Sequence, residues 1–179
     1  NFIKGGWVDA LLMVRTRVTD ARVELARAAD IPFVTYGRTE TSGSHAWVDP
    51  DNEQAFYLAT LRQLDFGHRR IALLNGPLEY CFARLREKGY ARAFGAIAAC
   101  RARGIGVGSK VSIIGYGNAS ASAFAEPPLS TIDHAAFENG RHVGQSLLLL
   151  LSGAAKPSDI HYLEPVVLVP RKSDGPCIS

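Results

Sequence analysis

A chain of 179 residues, 47% hydrophobic and 21% charged, can bury a core in one domain or two small ones. Its net charge of +3 is dispersed: the densest clusters, His68-Arg69-Arg70 and Arg101-Ala-Arg103, read as solvated helix ends, so the chain has no basic stripe with which to bind nucleic acid by itself. Cys81, Cys100 and Cys177 have neither paired nor metal-site spacing, which fits free thiols in a reducing compartment, and no apolar run reaches the roughly 18 residues that span a bilayer.

Val8–Val14 is a short, nearly continuous apolar run, the pattern of a strand buried on both faces. Asp20 can cap a helix running to Ala29, with Val23, Leu25, Ala26 and Ala29 spaced to cover a sheet. Ile31–Tyr36 is a second strand ending at Gly37-Arg38, and His45–Val48 a brief third. Asp49-Pro50 reads as a helix start; Ala55, Leu58, Leu61 and Leu64 give that helix its apolar side, and Gly67 closes it. Ile71–Leu74 is read as a buried strand, followed by the Gly76-Pro77 turn, a loop carrying Tyr80 and Phe82, and a helix start carrying Arg84 and Arg86. In an open α/β sheet, the crevice beyond the carboxyl end of a strand is where ligands bind, so this loop is the leading candidate for a site.

The pattern after Arg84 continues as a helix to Arg103. Lys110–Gly115 is the next strand, and a small-residue loop leads to Pro127-Pro-Leu-Ser-Thr-Ile132. A long helix from about Ala135 to Leu151 and a final strand at Pro165–Val169 complete the chain. The Leu147–Leu151 run makes that helix apolar all round, with core on one side and lobe or subunit packing on the other. Strands rich in Val, Ile and Leu alternate with helices, the signature of an α/β protein with parallel sheet.

Five motifs occur in a telling order: Gly6-Trp-Val-Asp-Ala-Leu-Leu12, Gly67-His-Arg-Arg-Ile-Ala-Leu-Leu-Asn-Gly-Pro77, Val111-Ser-Ile-Ile-Gly-Tyr116, Pro127-Pro-Leu-Ser-Thr-Ile132 and Arg171-Lys-Ser173. Together they resemble the effector-binding domain of the LacI/GalR family of bacterial transcription regulators. Pro32–Arg38 and Leu74–Pro77 are most similar to regulators of sugar catabolism, including α-glucoside types. The resemblance implies a two-lobed, periplasmic-binding-protein-like α/β fold, each lobe a parallel sheet flanked by helices. Residues 1–49 plus 134–161 would form the amino-terminal lobe, and 50–133 plus 162–179 the other, with an effector, a sugar by analogy, in a cleft between them. It also implies a cytoplasmic homodimer that reaches operator DNA through a headpiece not in this chain, with no cofactor, no metal and no membrane. Asn1-Phe2-Ile3 falls just before a strand, as though an upstream region were absent. Gly89–Phe94 and Gly95–Gly104 resemble two different helices of the family, so an omitted segment is expected between Phe94 and Gly95.

The resemblance also assigns candidate site residues. Arg86 matches the family arginine that hydrogen-bonds effector; a guanidinium fork suits vicinal hydroxyls or a carboxylate, and its alternative is an ordinary exposed helical arginine. Tyr80 and Phe82 occupy effector-contacting loop positions, where aromatic faces stack on a sugar, yet either also fits a lobe core. Arg38 matches a cleft position on the opposite lobe or is a surface turn arginine, and His134 either faces the cleft or is structural. The family places an aspartate directly after the aromatic residue of Gly115-Tyr-Gly-Asn118; here that position is Gly117, leaving Asn118 as its substitute.

Other chemistry finds little support. Gly104-Ile-Gly-Val-Gly108 ends a helix and precedes a strand, the reverse of a dinucleotide-binding loop. Asp49, Asp51 and Glu53 read as helix amino-terminal charges rather than a catalytic set. No nucleophile or acid–base pair points to an enzyme. A periplasmic sugar-binding protein of a transporter, which shares the two-lobed fold, is the alternative reading.

Overall fold

The computed structural model describes residues 7–101 and 112–177. Their contacts group the chain into two compact units, one made of 1–50, 77–84 and 135–164, the other of 51–76, 85–134 and 165–179.

The first unit is built on a four-stranded parallel sheet: β1 (Leu11–Val14), β2 (Phe33–Tyr36), β3 (Ala46–Pro50) and β6 (His161–Glu164), in the order β1-β2-β3-β6. Alternation along β2 builds two cores, since successive side chains point to opposite faces. Phe33 joins Met13, Val23 and Ala26 under α1 (Ala21–Ala28), whereas Val34 joins Ala46, Val48, Ile160 and Val143 of α4 (Ala136–Leu151). Burying a side chain of this size contributes about 1.5–3 kcal/mol. Asp20 caps α1 as expected, accepting from the Arg22 and Arg17 amides. The apolar circumference of α4 divides: Leu147 and Leu150 pack on the core, while Leu148 is 67% exposed.

Two expectations change here. Asp49-Pro50 does not start a helix; both residues end β3, and Asp51 caps α2 (Asn52–Asp65), accepting from the Gln54 amide. Asp49 is therefore no dipole charge: it is 1% exposed and paired with Arg38. Strand β6 has no counterpart in the sequence reading.

The second unit holds β4 (Ile114–Tyr116), β5 (Ser130–Asp133) and β7 (Val167–Val169), in the order β4-β5-β7, with β4 parallel and β7 antiparallel to β5. Ile71–Leu74 is not a buried strand. It pairs in no ladder among the described residues, Leu74 is 93% exposed, and the Ile71 carbonyl accepts from the Tyr90 hydroxyl at 2.6 Å instead. A continuous apolar run is compatible with a strand but supplies no pairing partner.

Helix α3 (Cys81–Arg101) runs through Phe94 and Gly95, the point at which an omitted segment is expected. Its approach to α2 depends on Gly89, where an added Cβ would lie 2.0 Å from the Glu53 carbonyl oxygen. The Gly104–Gly108 loop and the start of the strand expected from Lys110 lie outside the described residues.

Candidate functional site

In the second unit, α2 and α3 bring Asn52 and Arg86 together: Arg86 Nε donates to Asn52 Oδ1 at 2.9 Å. The guanidinium carbon lies 4.2 Å from the centre of the Tyr116 ring and 5.2 Å from that of Phe56. Tyr116, at the end of β4, also stacks on His134, with ring centres 5.0 Å apart. A cation beside aromatic faces is held by the ring quadrupole, and the same faces suit the C–H face of a sugar. Arg86, His134 and the strand end are thus one cluster, and Arg86 is half-buried rather than an exposed helical residue.

Asn118 belongs to a second network in this unit. Its Nδ2 donates to Asp133 Oδ2 at 2.8 Å, and its Oδ1 accepts from Arg171 at 2.8 Å. Arg171 also donates to the Leu129 carbonyl, which fixes the fork. Gly117 sits at φ +107°, a conformation that side-chain-bearing residues rarely adopt, so an aspartate in its place would be strained. The nearby carboxylate is that of Asp133, one strand over.

Alongside lies a cavity of about 1080 Å³. Arg86, Tyr116 and Phe56 line it with Thr60 and Gln63 of α2, the Ile71–Leu74 segment and Ser112–Ile114. Phe56 and Gln63 are two turns apart on α2, so the cavity extends roughly 10 Å along that helix. Its size is at the upper end of small-molecule pockets.

In the first unit, Tyr80 and Phe82 stack on each other, ring centres 5.5 Å apart and 13° between planes. Arg15 lies 5.0 Å from the Tyr80 ring centre. Neither ring is fully buried. Backbone bonds fasten the loop: Cys81 N–H donates to the Thr16 carbonyl and Val18 N–H to that of Glu79. Thr16 Oγ1 in turn donates to the Arg38 carbonyl at 2.8 Å, tying the loop to the end of β2. Arg38 is committed to a structural pair, donating from Nε to Asp49 Oδ2 at 2.7 Å while lying over Trp47. Arg84 donates to the Leu78 carbonyl, which closes the loop on itself.

The candidates therefore fall into two sets, Arg86, Asn118 and His134 in one unit and Tyr80, Phe82 and Arg38 in the other. Sequence reasoning missed Phe56, Asn52, Asp133 and Arg171. Phe56 is one apolar residue on an amphipathic helix, and nothing local distinguishes it. Among the described residues no cluster of three or more metal-ligating side chains occurs, and no helix is long and apolar enough to cross a membrane.

Comparison with known proteins gives this arrangement a class. Residues 91–173 match the family described as periplasmic binding protein-like domain. The regulator AglR of Rhizobium meliloti (strain 1021) is 43% identical over 89 residues, covering 49% of this chain and 25% of that protein. The repressor PurR of Histophilus somni (strain 129Pt) is 24% identical over 215 residues, covering 93% of this chain and 64% of that protein. Among solved structures, a CelR–cellobiose complex superposes with a TM-score of 0.83 at 22% identity, covering 96% of this chain and 68% of that one. A LacI-family regulatory protein from Chloroflexus aggregans superposes with a TM-score of 0.79 at 26% identity, covering 97% and 79%.

The fold is α/β and periplasmic-binding-protein-like. The chain is similar over 97% of its length to a regulatory protein of the LacI family. It spans a quarter of AglR and under two thirds of PurR.

Proposed function

We propose that this chain is the effector-sensing region of a cytoplasmic transcriptional regulator, and that its effector is a sugar. The observation that carries the reading is the Arg86–Tyr116–His134 cluster, with Asn52 behind the guanidinium, in a chain similar to a LacI-family regulator. A sugar offers what such a cluster holds: hydroxyls for charged donors and a C–H face for aromatic rings. AglR and CelR, both transcriptional regulators, agree with it, and the CelR structure contains cellobiose.

On this reading Asp133 accepts from sugar hydroxyls in place of the carboxylate that Gly117 lacks, while Asn118 and Arg171 hold it in position. Tyr80 and Phe82 offer stacked faces to a sugar, and Arg38 shapes that wall through its pair with Asp49. A bound effector favours one conformation of the domain over another only as far as its affinity differs between them. In a homodimer that shift alters how the DNA-binding headpieces sit on an operator. No step breaks or forms a covalent bond, so the regulator is not an enzyme.

Alignments to PurR extend over 215 residues, more than the 179 of this chain, so that relative carries segments without a counterpart here. We infer that one such segment falls between Phe94 and Gly95.

Calorimetric titration with cellobiose, maltose, raffinose, ribose and a purine base tests the reading. Saturable binding of a sugar is expected. Binding of the purine alone would assign the domain to another effector class.

A further inference from the structure

The far end of the second unit's cavity, beyond Gln63, is lined by His68 and Cys177. Cys177 Sγ lies 3.4 Å from His68 Nδ1, and His68 Nε2 lies 3.1 Å from the Gly175 carbonyl oxygen. A carbonyl only accepts, so Nε2 carries the hydrogen and neutral Nδ1 is left as an acceptor. The thiol then donates to Nδ1, and one proton transfer converts the pair to thiolate and imidazolium. The thiolate is the nucleophilic form of cysteine.

The pair is held in place by its surroundings. Cys177 N–H donates to the Phe66 carbonyl at 2.9 Å, Gly175 N–H donates to Ser112 Oγ at 3.0 Å, and Asp174 is bound by Arg62 and Ser130. His68 is 8% exposed, whereas Cys177 is partly open. Cys81 offers no comparable reactivity: it is buried, and burial pushes its thiol up.

A second observation concerns what would enter. Gln63 lines the same cavity at 6% exposure, and its Oε1 accepts no hydrogen bond among the described residues. A buried acceptor of this kind is satisfied by an incoming N–H donor. Arg69 and Arg70 also line the cavity, which favours an anionic visitor over a cationic one.

We propose that Cys177 is a thiol-modification site that forms a mixed disulfide with a small disulfide bearing amide and carboxylate groups. The Cys177 thiolate attacks one sulfur of the incoming S–S bond, which breaks as the new S–S bond forms. The departing thiolate takes the proton that His68 Nδ1 received from Cys177. The incoming disulfide is the oxidant, and no other co-reactant is consumed.

The test uses a Cys81→Ser/Cys100→Ser chain, checked for native circular dichroism, with oxidised glutathione as the probe and intact mass as the readout. If that variant does not fold, peptide mapping of the wild-type chain locates the adduct. Native Cys177 is expected to react about tenfold faster at pH 7 than in the urea-unfolded chain, because His68 Nδ1 is placed to take its proton as the sulfur attacks. Oxidised glutathione is expected to outpace the cationic disulfide cystamine severalfold. His68→Gln should remove the native advantage and move the pH–rate profile upward. A native rate no greater than the unfolded one, an unchanged pH profile in His68→Gln, or cystamine reacting as fast as oxidised glutathione would overturn the proposal.

Discussion

The Arg86 guanidinium lies 4.2 Å from the centre of the Tyr116 ring, and that same ring stacks on His134. The three side chains come from α3, the end of β4 and the residue after β5, so no short motif contains them. Asn52 Oδ1 takes one guanidinium hydrogen, which orients the planar group instead of leaving it to sample rotamers.

At Gly89, α3 passes close against the backbone of α2. A methyl group there meets the Glu53 carbonyl, which is backbone and cannot swing aside. Gly89→Ala should destabilise the second unit by about 1–3 kcal/mol through overpacking, despite the better helix propensity of alanine. Urea unfolding followed by circular dichroism measures this; a stabilised variant would show that the helices are not in contact.

Arg38 is read as a positioning residue for its wall rather than a free ligand donor. Replacing it with alanine leaves the buried Asp49 carboxylate without its guanidinium partner, at a cost of about 1–3 kcal/mol. Arg38→Ala should lower the unfolding midpoint, and Arg38→Ala/Asp49→Asn should recover part of the loss. Full stability in the single variant would contradict the structural role.

Asp20 gives the first unit an acid dependence. Hydrogen bonding from the Arg22 side chain, opposed by burial and helped by the Arg17 and Arg22 amides, lowers its carboxyl to about 2. The folded value lies below the unfolded one near 4, so the unfolded chain binds more protons between them. The contribution is complete above the unfolded value and is lost as pH falls from about 4 through about 2. Asp20→Asn should flatten the stability curve over that window, and Asp20→Ala should cost about 0.5–2 kcal/mol at neutral pH through loss of the cap. Urea midpoints from pH 2 to 7 provide the check.

Much of the first unit was legible because its signals are local. The apolar runs of β1 to β3 and the Asp20 cap follow from short-range chemistry, and α4 begins within one residue of its expected start. Strand β6 escaped because three of its four residues are exposed, so His161–Glu164 shows no apolar pattern. Ile71–Leu74 shows the converse failure: its pattern is apolar, but pairing is a property of two segments. The site divides the same way. Arg86, Tyr80 and Phe82 became candidates through a motif, whereas Phe56, Asn52, Asp133 and Arg171 join the candidate clusters only through tertiary contacts.

The most direct test of the proposed sensing site is calorimetry of the wild-type chain and of Arg86→Ala against whichever sugar the wild type binds. Truncation should weaken binding by about 0.5–1.5 kcal/mol for a neutral sugar held through hydroxyls, with native circular dichroism retained. An Arg86→Ala protein that folds and binds the sugar with unchanged affinity would contradict the account.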